Sequence, residues 1–177
     1  MSLSYYLEFI GVGDINRRRL ERLAVDRLMI RVFGHQVQVK HTLLGAPFIL
    51  GYHGHISISH SRRYAALAVS DDDVIGIDIE EPRPDQLEKV ASRFLSQEEY
   101  DYYSRLPHGI LKAWTLKEAS YKTLQSGPVD LCCYQLPLSP DDSIIKVDTD
   151  SGSVSLEIMV SEFLASKKLY LSIVRLG

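Results

Sequence analysis

The chain has 177 residues, 45% hydrophobic and 24% charged, with a formal net charge of −3. That is enough for one well-buried globular domain, or for two small halves sharing a core. The charge lacks the basic excess of a nucleic-acid binder, and no apolar run reaches the roughly 18 residues that a membrane helix needs, so neither nucleic acid nor membrane is an expected partner.

The segment Met1 to Gly11 is interrupted by Glu8 and has no basic lead or small-residue cleavage site, so it does not read as a signal peptide. Two adjacent cysteines, Cys132 and Cys133, make neither a disulfide framework nor a zinc site. A cytoplasmic location is expected.

In chain order, Ser4 to Ile10 reads as a first strand ending at the turn-prone Gly11-Val12-Gly13. Asp14 or Asn16 can cap a helix running to about Phe33, where Gly34 stops it. Its apolar positions Leu20, Leu23, Ala24 and Leu28 and its basic positions Arg27 and Arg31 follow helical spacing. Arg17, Arg18, Arg19 and Arg22 give its first turns a basic face, either plain solvated surface or an anion-binding edge. Val37 to Leu43 is a short strand or extended segment before the loop Gly45-Ala46-Pro47.

His55 to Ser61 alternates apolar and small polar residues in the manner of a strand. Tyr64 to Val69 is apolar enough for a buried helix or strand, and a hairpin with Val74 to Ile79, turning at Ser70 to Asp73, favours the strand. After Pro82 and Pro84 a helix is expected from Asp85 to Arg93. Ser96 and Glu99 form a capping box for a helix from Gln97 to about Arg105. Pro107-His108-Gly109 separates it from a long helix, Ile110 to about Gln125. The remainder reads as strands at Cys132–Leu136, Ile144–Asp148, Ser153–Val160 and Leu169–Arg175. The order strand–helix–strands in 1–75 and strand–helices–strands in 76–177 suggests two α+β halves with a ligand cleft between them.

The segment that carries chemistry runs from Gly76 to Lys122. In Ile75-Gly76-Ile77-Asp78-Ile79-Glu80 the β-branched residues favour a strand, and the period of two puts Asp78 and Glu80 on one face. Glu118 and Lys122 are spaced i,i+4 on the long helix and so share a surface. Three carboxylates suit a hard divalent cation such as Mg²⁺, and lysines beside it would bind phosphate. The plainer reading of the same residues is a solvated acid pair and a salt-bridged helix face. His60 alone would more often be a structurally hydrogen-bonded histidine than a ligand.

Four blocks together resemble the 4′-phosphopantetheinyl transferases, specifically the type that activates peptide and polyketide synthases. They are Ile58-Ser59-His60-Ser61, Ile75 to Glu80, Arg93-Phe94-Leu95-Ser96-Gln97-Glu98-Glu99-Tyr100, and Trp114-Thr115-Leu116-Lys117-Glu118-Ala119-Ser120-Tyr121-Lys122. The resemblance implies a fold of two pseudo-symmetric α/β halves in one compact, usually monomeric unit. Residues 1–75 would supply nucleotide contacts, and 76–177 the metal site and catalytic helix. It implies transfer of the 4′-phosphopantetheine arm of coenzyme A to a serine of an acyl or peptidyl carrier protein, with release of adenosine 3′,5′-bisphosphate. Such carriers serve fatty acid, polyketide or nonribosomal peptide synthesis.

Carried over by position, the resemblance makes Asp78, Glu80 and Glu118 the Mg²⁺ ligands, with Glu118 also the base for the serine hydroxyl. Lys122 and Lys117 would contact the phosphates, and Ser59, His60 and Arg18 the 3′-phosphate of coenzyme A. The family often has Gly-Lys-Pro where this chain has Gly45-Ala46-Pro47, so one basic contact is missing, for which Lys40 or His41 is a candidate substitute. Two other classes compete: a non-catalytic coenzyme A or carrier-binding module, and a Mg²⁺-dependent nucleotide phosphohydrolase.

Overall fold

The computed structural model describes residues 2–11 and 16–177. Their element order is β1 (Leu3–Phe9), α1 (Arg17–Phe33), β2 (Val39–His41), β3 (Pro47–Ile49), β4 (His55–His60), β5 (Tyr64–Ser70), β6 (Ile75–Glu80), α2 (Pro84–Val90), α3 (Gln97–Tyr103), α4 (Gly109–Leu124), β7 (Tyr134–Gln135), β8 (Ile144–Thr149), β9 (Gly152–Leu164) and β10 (Leu169–Leu176). Among the described residues this is a mixed α+β fold with three antiparallel sheets, ordered β1-β5-β4, β6-β10-β9-β8-β7 and β2-β3. No described helix is long and apolar enough to cross a membrane.

The helix ends follow their sequence signals. Asn16 caps α1 by accepting the Arg18 N–H at 3.0 Å, and Gly34 ends the helix in the left-handed conformation that glycine adopts without Cβ strain. The alternative cap, Asp14, and the turn at Val12-Gly13 lie outside the described residues. Ser96 and Glu99 form the expected capping box on α3. Leu23, placed by periodicity on the apolar face of α1, is exposed, and Met29 takes that core position beside Ala24 and Leu28. The helix expected over Asp85–Arg93 is α2 followed by a 3₁₀ turn at Ala91–Arg93. Cys132 and Cys133 lie in another 3₁₀ turn, which leaves β7 only two residues. The last hairpin is longer than expected, because β9 runs through Ser161 to Leu164.

One expectation fails in topology. β5 does not form a hairpin with β6: β5 pairs with β1 and β4, while β6 pairs with β10 in the other sheet. The chain crosses between sheets at Ser70–Val74. β6 can be recruited by β10 because Leu171 and Ile173, opposite Ile79 and Ile77, extend the same apolar face. Ile75, Ile77 and Ile79 then meet Ala66 and Ala68 of β5 in a core shared by the two sheets. A second core lies between α1 and the first sheet, and a third under α4 and the strands β7 to β10.

The outer edge of β6 adjoins β4, and side chains make the join. The Ser57 hydroxyl accepts the Ile77 N–H at 3.0 Å, and the Ser59 hydroxyl accepts the Ile79 N–H at 3.3 Å. Two serine oxygens thus satisfy buried donors that a neighbouring strand's carbonyls would otherwise take. Across the opposite face of β6, α4 comes unusually close. A Cβ on Gly76 would stand 2.0 Å from the Ala119 carbonyl oxygen, so only glycine permits this approach.

Candidate functional site

At the seam between the sheets, β6 presents Asp78 and Glu80 and α4 presents Glu118 and Lys122. Asp78 is buried and its Oδ1 accepts from Lys122 Nζ at 2.7 Å and from the Ser59 hydroxyl at 2.8 Å. Lys122 Nζ also donates to the Ser59 hydroxyl and to the Ile77 carbonyl, each at 3.0 Å. All three ammonium protons are therefore used across the seam. Glu80 pairs with Arg83 and accepts the Glu81 N–H at 2.9 Å. Glu118 makes no hydrogen bond or ion pair among the described residues.

The three acids sense one another. Burial raises the Glu118 pKa above the ordinary carboxylate value, the Asp78 charge adds to this, Lys122 partly offsets it, and Glu80 raises it further. Burial likewise raises Glu80, against the Glu81 N–H and Arg83, with Asp78 again adding to the rise. Like charges held together in a partly dry seam suit a hard cation. The oxygen donors fit Mg²⁺ by chemical type. Yet no three potential ligands among the described residues stand close enough to hold one ion together. Asp78 and Glu80 instead each hold a cationic side chain.

Beside the seam opens a cleft of about 840 Å³ between α1, the β2–β3 hairpin and β4. Arg18, Arg22, His41, Ile58 and His60 line it, with Glu21 and Asp26 as the acids. Arg18 and His60, far apart in sequence, thus share one cavity. Loss of hydration, ahead of any charge, holds the His60 pKa below the usual imidazole value. Glu21 works against this, and Lys122 and Arg17 lower it further. Lys122 lines a smaller adjoining space of about 170 Å³ with Ala46, Ser57 and Tyr121.

Two expected phosphate contacts are elsewhere. Lys117 is fully buried, with its ammonium 2.8 Å from Glu99 Oε2, because its position on α4 faces the core rather than the seam. Ser59 is buried and spends its hydroxyl on Asp78, Lys122 and Ile79, since alternation along β4 turns it away from His60 and the cleft. Sequence reasoning also passed over Ser57, Arg83 and Glu81, which bind the seam. Only Ser57 left a signal, being two residues before Ser59 on the same strand face.

Comparison with known proteins bears on the family of the chain. Relatives include the 4′-phosphopantetheinyl transferase HetI of Nostoc sp. (strain PCC 7120), 35% identical over 92 residues, or 49% of this chain and 39% of that protein. A 4′-phosphopantetheinyl transferase of Bacillus subtilis is 35% identical over 109 residues, covering 59% of this chain and 44% of its own length. The 4′-phosphopantetheinyl transferase Sfp of Bacillus subtilis (strain 168) is 34% identical over 116 residues, with the same two shares of 59% and 44%. The chain spans less than half the length of these relatives. Residues 74–170, more than half of the chain and including β6, α4 and all three acids, match the ACPS family, the 4′-phosphopantetheinyl transferase superfamily. The chain belongs to the 4′-phosphopantetheinyl transferase superfamily.

Proposed function

We propose that this protein transfers the 4′-phosphopantetheine arm of coenzyme A to a serine of an acyl or peptidyl carrier protein. The reading rests on one observation above all: Asp78, Glu80 and Glu118 lie along one seam, near enough for burial to be joined by the charges of Asp78 and Glu80 in raising the Glu118 pKa, beside a cleft lined by Arg18 and His60. In this reading residues 1–75 hold the nucleotide and 76–177 the reacting diphosphate, as two halves of one monomeric, cytoplasmic unit. Arg18 and His60 bind the 3′-phosphate, and Lys122 leaves Asp78 to meet the diphosphate.

Asp78, Glu80 and Glu118, once Lys122 and Arg83 release the first two, would hold Mg²⁺, which when bound neutralises diphosphate charge. Glu118, with no partner of its own among the described residues, accepts the proton of the carrier serine hydroxyl. The serine oxygen then bonds to the phosphorus of the pantetheine arm. The bond from that phosphorus to the bridging oxygen breaks, and adenosine 3′,5′-bisphosphate leaves with the electron pair. The carrier docks along Gln97 to Gly109, where a groove of about 320 Å³ is lined by Leu87, Tyr103, Leu106 and Ile110. Exposed Arg93 and Arg105 assist encounter with an acidic carrier.

Incubation with coenzyme A, Mg²⁺ and an apo carrier should add the mass of the arm to the carrier. No gain with several carriers would overturn the reading. The pairing of Asp78 with Lys122 and Glu80 with Arg83 favours a second reading, a coenzyme A-binding module without catalysis. That module would bind coenzyme A equally with and without Mg²⁺, whereas the enzyme would show calorimetric coupling between the two.

A further inference from the structure

His60 is the last residue of β4, and the turn after it, Ser61 to Arg63, is tied down from several elements. From β6's end, the buried Glu81 carboxylate accepts from the Ser61 hydroxyl at 2.9 Å and from the Arg63 N–H at 2.8 Å, both on Oε1, and from Arg63 Nε at 3.2 Å on Oε2. From α1, Arg17 donates to the Ser61 and Arg62 carbonyls at 2.6 and 2.5 Å. Arg63 also donates to the Lys167 carbonyl at 3.1 Å, in the turn between β9 and β10. The same residue 81 donates its backbone N–H to Glu80 Oε1 at 2.9 Å.

Residue 81 therefore grips both sides of the site: its main chain holds an acid of the proposed diphosphate end, and its side chain holds the turn behind His60. A carboxylate with three donors, buried in a polar turn, confines that turn tightly, because each donor would be left unpaired if the turn moved. The geometry assigns Glu81 as a positioning residue that fixes His60, and through it the 3′-phosphate subsite, relative to Asp78 and Glu80. This rests on the reading of His60 as a 3′-phosphate ligand. Glu81 itself lines no part of the cleft among the described residues.

The test compares calorimetric dissociation constants for coenzyme A and for 3′-dephospho-coenzyme A, taking their ratio as the preference for the 3′-phosphate. Wild-type protein, His60→Ala, Glu81→Ala, Glu81→Gln, Ser61→Ala and the double variant His60→Ala/Glu81→Ala are measured. If the wild type shows no preference, or His60→Ala keeps it, the 3′-phosphate reading fails and takes this assignment with it. With the preference present and dependent on His60, Glu81→Ala should reduce it about tenfold, the scale of one displaced charge-assisted hydrogen bond. Glu81→Gln should retain most of it, since an amide oxygen can still accept from Ser61 and Arg63 N–H. The double variant should be no worse than His60→Ala alone.

Equal weakening of both ligands by Glu81→Ala, or losses that multiply in the double variant, would overturn the assignment. If Glu81→Ala fails to fold, Ser61→Ala removes one donor from the same carboxylate and should lower the preference several-fold. A folded Ser61→Ala with full preference would equally overturn it.

Discussion

Among the described residues, neither the Glu118 carboxylate nor the His60 ring makes a hydrogen bond or ion pair. Glu118 faces its like-charged neighbours without a hydrogen bond among the described residues, so replacing it by glutamine removes the charge and leaves the packing intact. Glu118→Gln should lower transfer by about 10² or more while leaving the thermal midpoint near wild type. Activity within a few-fold of wild type would refute the proposed role as base. His60 offers a pH test. Its pKa is lowered from 6.5, so the imidazole is largely neutral near neutrality, and a bound phosphate would favour the charged form. Coenzyme A binding should therefore take up a proton, and affinity should rise as pH falls through this range. The ligand's own phosphate titrates nearby, so His60→Gln, which should lack the uptake, is the reference for calorimetry in buffers of different ionisation heat. The residues of this site that strand alternation and i,i+4 spacing could place were legible: Asp78 and Glu80 share a face, and Glu118 lies one turn from Lys122. Lys117 was not. Adjacent positions on a helix diverge by about 100°, so a lysine beside Glu118 can belong wholly to the core.

At the scale of the element, α4 is held at both faces. Glu99 Oε2 receives Lys117 Nζ and the Ser96 N–H, while Oε1 receives the Leu136 N–H at 2.8 Å, so one carboxylate ties α3, α4 and the β7 segment together. Removing Glu99 strands a fully buried ammonium, whereas removing Lys117 leaves the carboxylate two backbone donors. Glu99→Leu should thus cost about 3–5 kcal/mol and Lys117→Met clearly less, with the double substitution recovering part of the loss in chemical denaturation. Lys117→Met should also leave coenzyme A affinity unchanged. On the other face, Gly76→Ala would force α4 off β6 and should cost at least about 1–3 kcal/mol, with a matching fall in transfer because Glu118 rides on the displaced helix. Helix boundaries were readable from Asn16, Gly34 and the Ser96–Glu99 box because capping is local chemistry. The glycine at 76 announced only a weak strand position, and its partner, the Ala119 carbonyl, is visible only once the helix is packed.

For the whole molecule, the apolar run Tyr64–Val69 and the β-branched Val74–Ile79 fitted a hairpin, and the fold instead sends the two strands to different sheets. Local pattern cannot choose between β5 and β10 as partners for β6; the apolar face of β10, far along the chain, decides it. The hydroxyl join at Ser57 and Ser59 is a local point of weakness between the sheets. A ladder of main-chain bonds survives almost any substitution, but where β4 adjoins β6 the Ile77 and Ile79 N–H groups are met by two replaceable side chains. Ser57→Ala should leave the secondary-structure spectrum unaltered yet speed amide exchange at Ile77 selectively, an opening confined to the border between β4 and β6. Such selective exchange would mark the border as a crease that opens locally while each sheet stays whole.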